Sequence, residues 1–224
     1  MFQREELLIG EKISILNNKT VLVLGLGGVG GYVTESLARC GIGHLILIDY
    51  DIVDISNINR QIIALHSNIG KKKTDCFKER IKDINPKCIV DTLDIFYGEE
   101  TKDLIFNQHI DYIIDCCDSL ESKKILILEA NKRNIPIICS MGTGNKFHPE
   151  LFSITTLNKT EYDPLAKKLR FLLKDYKEIL KSTNVLYSKE VPQPFKGKIG
   201  SISYVPSVAG LLLTSFVVNS FLDV

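Results

Sequence analysis

The sequence lacks any C-x-x-C pair, and none of its six cysteines lies beyond Cys139. The four histidines, at positions 44, 66, 109 and 148, are scattered along the chain. Structural zinc sites use closely spaced pairs of such ligands, so no structural zinc site is expected. The absence of cysteine after residue 139 also excludes a catalytic thiol from the C-terminal part of the chain.

An excess of one sign of charge is also missing. The 28 Lys and Arg residues nearly balance the 27 Asp and Glu residues, and the formal net charge is +1. The composition, 45% hydrophobic and 25% charged, is that of an ordinary globular protein rather than a disordered or broadly basic one. A local basic face is still compatible with this balance, so nucleic acid stays a candidate partner. With no signal-peptide pattern and no disulfide framework, we expect a cytoplasmic protein.

Charged residues are absent from one long segment, "PSVAGLLLTSFVVNSFL" at positions 206–222. Its length is at the lower limit for a membrane-spanning helix. Its Ser, Thr and Asn residues, and the lack of basic residues beside it, favour a helix buried against a sheet or at a dimer seam. Membrane contact by this helix is the alternative that we do not favour.

Five short apolar runs rich in β-branched residues predict buried parallel strands, at 20–25, 44–49, 87–96, 111–118 and 135–142. Segments with helical spacing lie between them, at 30–41, 71–86 and 121–134. This alternation predicts an α/β fold with a doubly wound, mainly parallel, Rossmann-like sheet. Ligands bind such sheets beyond the carboxyl ends of the strands. The residues that directly follow strands are therefore the candidates for function.

The C-terminal part breaks the alternation. Segments 150–158 and 198–206 are predicted to be antiparallel strands added to the sheet, with a cationic helix at 163–181 between them. We interpret the chain as a single domain with a nucleotide-binding half at 1–145 and a substrate-side part at 146–224. A mobile connector is predicted at about 176–198.

The loop "GLGGVG" at 25–30 follows a predicted strand and opens a predicted helix, as in nucleotide-binding turns. Gly25 would form the tight turn, Gly27 would let backbone N–H groups approach a phosphate, and Gly30 would allow close helix packing. Asp49 ends the second strand, where a carboxylate can accept hydrogen bonds from ribose hydroxyls. The alternatives are a glycine turn without a ligand and a plain helix cap. At this point NAD and ATP both fit.

The segment "DISNINRQII" at 54–63 favours a triphosphate. Reaction at the α-phosphorus builds up negative charge, which guanidinium, ammonium and amide groups stabilise. Arg60 offers a bidentate fork, Asn57 and Gln61 offer amides, and Lys73 begins the next predicted helix. Each residue alone would more simply be a solvated surface residue. Together, behind a glycine loop, they indicate a phosphate site.

The segment "DCCDS" at 115–119 closes the fourth predicted strand. Asp118 lies where a carboxylate could hold Mg²⁺ against phosphate oxygens. Asp115 is either a supporting residue or simply the end of the strand. Cys116 and Cys117 have no histidine near them in sequence, so we interpret them as packing residues rather than nucleophiles.

The segments "VLVLGLGGVGGYVTESLARCGIGHLILIDYDIVDISNINRQ", "GKKKTDCFKERIKDINP" and "IIDCCDS" resemble, in order and spacing, the ThiF/MoeB-like branch of the ubiquitin-activating superfamily. The resemblance covers roughly residues 4–145. Members of this branch use ATP and Mg²⁺ to adenylate a carboxylate. The resemblance implies phosphate contacts from Gly27, Gly28, Asn57, Arg60, Gln61 and Lys73, ribose contacts from Asp49 and Asp51, and metal binding by Asp118.

The opening segment "FQREELLIG" resembles the first helix of this family. In the family, the arginine of this helix reaches the phosphates of the neighbouring subunit. For this chain the resemblance implies that Arg4 joins Arg60, Lys73 and Asp118 as a catalytic residue, in a symmetric homodimer whose sites are completed in trans. Without the resemblance, Arg4 would be interpreted as a surface residue.

Later segments, "INRQIIAL", "DPLAKKLR", "VLYSKE" and "GSISYVPSVAGLLL", are similar to the tRNA threonylcarbamoyladenosine dehydratases of that branch. This resemblance implies ATP-dependent adenylation of the threonyl carboxylate and ring closure by a neighbouring nitrogen. Some relatives carry a cysteine just before the segment that matches "YSKE", where this chain has Val185 and Leu186. A sulfur-relay protein is a further candidate partner.

Binding of tRNA would require local positive charge. Lys167, Lys168, Arg170 and Lys174 of the cationic helix are predicted to contact phosphates, with Lys196 and Lys198 in the connector nearby. An ordinary solvated helix face is the alternative interpretation of these residues.

Two other functions stay open from the sequence. Adenylation of the C-terminus of a ubiquitin-like sulfur-carrier protein would require a hydrophobic groove that binds the partner, and usually a thiol or zinc site. An NAD-dependent oxidoreductase is less favoured, because Arg60 and Lys73 suit a triphosphate and no Tyr-x-x-x-Lys pair is present.

Overall fold

The structure is a computed structural model that describes residues 1–194, 197 and 199–224. Its strands are β1 (Thr20–Leu24), β2 (His44–Ile48), β3 (Ile89–Leu93), β4 (Tyr112–Asp115), β5 (Ile137–Ser140), β6 (Phe152–Thr156) and β7 (Asn184–Ser188). Its α-helices are α1 (Gln3–Ile9), α2 (Ile13–Asn17), α3 (Gly30–Arg39), α4 (Lys73–Ile84), α5 (Leu120–Lys132), α6 (Pro164–Leu172), α7 (Lys177–Ser182) and α8 (Tyr204–Leu222).

The strands form one seven-stranded sheet in the order β3-β2-β1-β4-β5-β7-β6. All neighbouring pairs are parallel except β6 and β7, which are antiparallel. The strand order reverses between β1 and β4, and this reversal is where a doubly wound sheet opens a crevice for ligands. The predicted fold class is confirmed.

The sheet separates two hydrophobic cores because alternate residues of a strand point to opposite faces. Val21 and Val23 of β1 belong to one core, which α3, α4 and α8 cover. Leu22 and Leu24 of the same strand belong to the other core, which α5 and α6 cover. Each fully buried side chain of this kind stabilises the fold by roughly 1.5–3 kcal/mol.

One predicted strand is wrong. The described residues of segment 198–206 form no strand, and α8 already begins at Tyr204. Pro206 fits in the first turn of this helix because the first N–H groups of a helix have no partner within it. The strand that pairs with β6 is β7 instead, and β7 also extends the parallel sheet beside β5.

The predicted cationic helix at 163–181 is two helices, α6 and α7, with a break at residues 173–176. Asp163 caps the first of them by accepting a hydrogen bond from the Ala166 N–H at 2.9 Å. The range 176–198, predicted to be a connector, contains α7 and the internal strand β7. Within the described part of this range, the longer stretch without regular secondary structure begins after Ser188.

The uncharged C-terminal segment forms α8, which packs on α3. A Cβ atom on Gly210 would lie 2.5 Å from the Val29 carbonyl oxygen, so only glycine allows this close approach. By length and composition alone α8 could span a membrane, with a mean hydropathy of 1.7, and 44% of that stretch is buried inside the molecule. Its inward face covers the sheet, in agreement with the burial interpretation.

Candidate active site

A cavity of about 330 Å³ lies beyond the carboxyl ends of β1, β2 and β4. The residues of the predicted nucleotide site that line it are Gly25, Gly27, Gly28, Asp49, Asp51, Asn57, Arg60, Gln61, Lys73 and Asp118. Residues far apart in sequence therefore meet at the edge of the sheet where ligands of this fold bind. We call this space the nucleotide cavity.

The glycine turn between β1 and α3 is held by close backbone packing. Gly25 has φ of +85°, and a Cβ atom there would lie 2.8 Å from the Cys117 backbone nitrogen. A Cβ atom on Gly30 would overlap the Gly25 carbonyl oxygen at 1.8 Å, so Gly30 packs beneath the turn rather than lining the cavity. A Cβ atom on Gly27 would meet nothing closer than Gln61 Nε2 at 3.8 Å. The turn is thus open to a ligand on the side of Gly27.

Asp49 joins the end of β2 to the glycine turn. Its Oδ2 accepts a hydrogen bond from the Leu26 N–H at 2.6 Å, and its Oδ1 accepts one from the Asp51 N–H at 2.8 Å. Burial raises the pKa of the Asp49 carboxyl, while Lys73 and these two N–H groups oppose the increase. Each carboxylate oxygen has a second lone pair. Asp49 therefore supports the turn and retains the capacity to accept a ribose hydroxyl.

Lys73 is a buried lysine at the first position of α4. Its Nζ lies 2.8 Å from Asp51 Oδ2 and 4.0 Å from Asp49 Oδ2. A cation at a helix N-terminus is opposed by the helix dipole, and here the two aspartates compensate for it. The ammonium is thus held at the wall of the nucleotide cavity by groups that a phosphate could replace.

The three predicted phosphate ligands within "NINRQ" at positions 57–61 have different surroundings. Asn57 is partly structural, since its Oδ1 accepts from the Asp54 N–H in a capping box that shapes this turn. Arg60 lines the cavity, and its Nη1 donates to the Ser56 carbonyl and to Asn59 Oδ1, both at 2.9 Å. Gln61 Oε1 is buried and has no hydrogen-bond partner among the described residues. An unpaired buried polar atom is costly, so this amide calls for a bound ligand or water.

The turn after β4 carries Asp118 to the rim of the nucleotide cavity. Asp115 lies behind the turn and is fully buried, where its Oδ2 pairs with Lys123 Nζ at 2.9 Å. Its Oδ1 accepts from the Cys117 N–H at 3.1 Å, which holds the turn that carries Asp118. Of the two interpretations of Asp115, the structure favours the one in which Asp115 holds the turn that carries Asp118.

Lys123 is a residue that the sequence analysis missed. Burial alone would lower its pKa, but the adjacent Asp115 carboxylate raises the pKa above its usual range, so the ammonium stays charged. The only sequence signal is the polar pair at 123–124 inside a helix, a pattern that usually marks a solvated face. Nothing local distinguishes Lys123 from Lys124.

Cys116 and Cys117 line the nucleotide cavity. Burial raises the pKa of both thiols, and the nearby Asp115 carboxylate adds to the effect. Since the thiolate is the nucleophilic form, both residues are unsuited to nucleophilic catalysis. This agrees with their interpretation as packing residues.

Arg4 is not brought to the nucleotide cavity of its own chain. It is exposed on α1, a helix without buried residues, and borders a separate shallow cavity with Phe2 and Arg39. On the same helix Leu7 and Leu8 are 86% and 85% exposed. Any role of Arg4 at a nucleotide would therefore belong to a second copy of the chain.

Three of the four predicted RNA-binding residues on the cationic helix are exposed: Lys167, Lys168 and Lys174. Arg170 is different, because its Nη1 donates to the Thr160 carbonyl at 3.0 Å and to the Thr160 hydroxyl. Arg170 thus braces the preceding loop instead of joining the lysines at the surface. Lys196 and Lys198 lie outside the described residues.

A sequence model of the ThiF family matches residues 4–212 of the chain. The chain belongs to the ThiF family. The resemblance inferred from the sequence is confirmed, and the match extends beyond the nucleotide-binding half into α8.

Within the ThiF family, the chain is similar to tRNA threonylcarbamoyladenosine dehydratases. It is 43% identical over 240 residues to the protein of that name from Bacillus subtilis, covering 99% of this chain and 94% of the relative. It is 38% identical over 194 residues to the Escherichia coli protein, covering 86% of this chain and 68% of the relative. The crystal structure of E. coli TcdA in complex with ATP superposes with a TM-score of 0.93 at 33% identity, covering 99% of this chain and 93% of that one.

Proposed function

We propose that this chain is an ATP-dependent tRNA threonylcarbamoyladenosine dehydratase. It would adenylate the threonyl carboxylate of the modified adenosine and convert the side chain to its cyclic form. The observation that carries the proposal is the single cavity in which the glycine turn, Arg60, Lys73 and Asp118 meet. The similarity to named dehydratases over almost the full length of the chain supports the same reaction.

ATP would bind with its phosphates over the glycine turn, at the N-terminus of α3, where backbone N–H groups and the helix dipole attract anions. Arg60 and Lys73 would contact the triphosphate, and Gln61 Nε2, which lies beside Gly27, would donate to a phosphate oxygen. Lys73 would exchange its contact with the half-exposed Asp51 for a phosphate oxygen. Asp49 and Asp51 would face the ribose.

In the first step, a threonyl carboxylate oxygen attacks the α-phosphorus of ATP and forms a P–O bond. The bond from that phosphorus to the β-phosphate oxygen breaks, and pyrophosphate leaves. The carboxylate has then become an acyl adenylate, whose carbonyl carbon is far more electrophilic. Arg60 and Lys73 stabilise the negative charge that builds up on the phosphate oxygens during this step.

In the second step, a nitrogen of the same modified nucleoside attacks the activated carbonyl carbon, AMP leaves and the nitrogen loses its proton. Because nucleophile and electrophile belong to one molecule, the effective molarity can reach about 10⁵ M or more. No covalent enzyme intermediate is required. This agrees with the raised pKa values of the Cys116 and Cys117 thiols, which make both residues poor nucleophiles.

Magnesium fits this site as an ion held jointly by protein and phosphates. The described residues contain no cluster of three or more His, Cys, Asp or Glu side chains that could hold a metal. Mg²⁺ commonly binds through one or two carboxylates together with substrate phosphates and water. Asp118 at the cavity rim would supply that carboxylate, and the ion would neutralise charge on the triphosphate.

Incubating the protein with ATP, Mg²⁺ and tRNA that carries threonylcarbamoyladenosine tests this function. We expect mass spectrometry of the digested nucleosides to show a product lighter by one water, with one AMP formed for each product. The matched control is the same tRNA without the threonylcarbamoyl group, which should release no AMP. An unchanged modified nucleoside would contradict the proposal, and AMP formation only with a ubiquitin-like protein would favour the alternative.

We infer that two copies of the chain form a homodimer in which Arg4 of each copy reaches the nucleotide of the other. Helix α1 supports this arrangement because it has no buried residue and exposes Leu7 and Leu8 almost fully. Isolated exposed leucines need no explanation, but two together on the helix that carries Arg4 suit a subunit contact.

Mixing an Arg4→Ala protein with an Asp118→Ala protein tests the site shared between subunits. Each variant alone should be inactive, because every site lacks one of the two groups. In a hybrid dimer, the Arg4→Ala subunit keeps Asp118 and receives Arg4 from its partner. Random exchange should therefore restore about one quarter of wild-type activity, since half of the dimers are hybrid and each has one complete site. No recovery after verified subunit exchange would contradict the shared site.

The proposed setting is the cytoplasm, where tRNA is modified and the six free cysteines stay reduced. A sulfur-relay protein stays a predicted partner. Co-purification of such a protein with the chain would test it.

A further inference from the structure

A second cavity, of about 360 Å³, lies directly beside the nucleotide cavity. Asp118 lines both cavities, and Leu120 at the start of α5 lines the second one. We call this second space the acceptor cavity; its other walls include Gly142, Lys146, Asp163 and Leu165. A group bound there would adjoin the carboxylate proposed to hold Mg²⁺ against the triphosphate.

The acceptor cavity combines apolar walls with one buried ion pair. Lys146 Nζ lies 3.2 Å from Asp163 Oδ2 and donates to the Gly142 carbonyl at 2.5 Å. An ammonium has three N–H donors, and the contacts within the described residues use two of them. Because the pair is neutral as a whole, the cavity does not suit a phosphate group. It suits a flat, mostly apolar group that accepts one hydrogen bond, such as a purine with a carbonyl-bearing side chain.

The acceptor cavity continues outward over α6. Leu120, Pro164 and Lys168 line both the acceptor cavity and a groove that reaches Lys167 and Phe171. Phe171 is 69% exposed, and Lys174 Nζ lies 5.2 Å from the centre of its ring. We call Lys167, Lys168, Phe171 and Lys174 the stacking patch.

An exposed aromatic ring among lysines is the arrangement that proteins use for unpaired nucleic-acid strands. The ring stacks on a base of any sequence, and the ammonium groups contact the backbone phosphates. A protein partner with an acidic tail would also bind the lysines. Such a partner would not require a flat exposed ring next to a cavity of purine size.

We propose that the acceptor cavity receives the modified adenosine of a single-stranded RNA loop and that the neighbouring base stacks on Phe171. This inference rests on the proposed function. It adds that the RNA strand leaves the acceptor cavity along the groove over α6. Lys168, which lines both cavity and groove, contacts the phosphate between the two nucleotides. Lys146 orients the modified adenosine by donating its third N–H to it.

Replacing Phe171 by alanine tests the stacking patch. Loss of one base–aromatic stack is expected to raise the dissociation constant for modified tRNA about 5- to 150-fold, and Phe171→Tyr should restore it. Lys168→Ala should weaken binding and lower the slope of log affinity against log salt by about one phosphate contact. The affinity for ATP should stay unchanged in all three variants.

A matched control is Lys132→Ala. Lys132 is an exposed lysine at the far end of α5, about 18 Å from Leu120 by the rise of a helix. It should leave both the dissociation constant and the salt slope as in the wild type. A reduced salt slope for Lys132→Ala equal to that for Lys168→Ala would overturn the assigned phosphate contact.

Leu165→Trp tests the acceptor cavity itself by filling it. We expect turnover to fall at least tenfold while the affinity for ATP and the binding of RNA through Phe171 persist. Full turnover by this variant would overturn the cavity as the acceptor site. If the wild-type protein forms product but Phe171→Ala binds tRNA normally, the stacking inference is overturned while the proposed function stands. If the wild-type protein binds tRNA through Phe171 but forms no product, the proposed function is contradicted while the stacking patch stands.

Discussion

Replacing Arg60 by alanine is expected to lower the rate of ATP-dependent dehydration by about 10²- to 10³-fold, the usual cost of losing one group that stabilises transition-state charge. Arg60 lines the nucleotide cavity, and the Ser56 carbonyl and Asn59 Oδ1 accept hydrogen bonds from its guanidinium. A group already held in place loses little entropy when the phosphate charge develops. Arg60→Lys should recover part of the rate, because an ammonium keeps the charge but not the bidentate fork.

The measurement for Arg60 is single-turnover formation of the cyclic nucleoside at saturating ATP, with circular dichroism to confirm the fold. Asp118→Ala should also abolish turnover, and excess Mg²⁺ should not restore it. Arg133→Ala is the matched control, since this arginine pairs with Glu129 and Asp103 at the opposite end of α5. The pair with Glu129 is largely buried, so circular dichroism should also confirm the fold of Arg133→Ala. Normal turnover by Arg60→Ala would place the triphosphate elsewhere.

Replacing Lys123 by methionine is expected to lower the free energy of unfolding by about 3–5 kcal/mol, because it leaves the Asp115 carboxylate buried without its cationic partner. Both side chains are fully buried, and their charged atoms lie 2.9 Å apart. A typical domain is stable by only about 5–15 kcal/mol, so this is a large fraction of the total. Urea unfolding would measure the change.

Two variants separate the ion pair from other effects of the Lys123 substitution. Lys124→Met changes the adjacent, half-buried lysine and should shift the unfolding midpoint little. Adding Asp115→Asn to Lys123→Met removes the unpaired charge, and its amide oxygen can still accept from the Cys117 N–H. The double variant should recover most of the lost stability. If Lys123→Met unfolded like the wild type, the pair would not stabilise the turn behind Asp118.

That these residues line one cavity could be predicted because several of them follow strands whose apolar runs are easily recognised. Gly25, Asp49 and Asp118 each come just after such a strand, and parallel strands bring their carboxyl ends to one edge. Arg60 and Lys73 lie outside strands, and they belong to the series of motifs, in order and at matching intervals, that carries the family resemblance. The structure adds that Gly30 packs beneath the turn and that Arg4 lies away from the cavity of its own chain.

The C-terminal part was predicted less well because its patterns are ambiguous. "GSISYVP" alternates like a strand, but the apolar run that follows makes its end the first turn of α8. "NVLYS" lies in the range predicted to be a connector, yet it forms the strand between β5 and β6. In both cases the choice depends on which neighbour offers hydrogen bonds and apolar contacts, which is not a local property.

By itself, the sequence determined the fold class, the glycine turn after β1, the cationic residues that line the cavity beside it and membership of the ThiF family. Only the tertiary structure decided that Lys123 is buried against Asp115, that Arg170 braces a loop, and that a second cavity opens beside Asp118. The physical reason is that spacing along a chain fixes local conformation and the face of an element. Burial of a charge and the shape of a cavity depend on which distant segments pack around them.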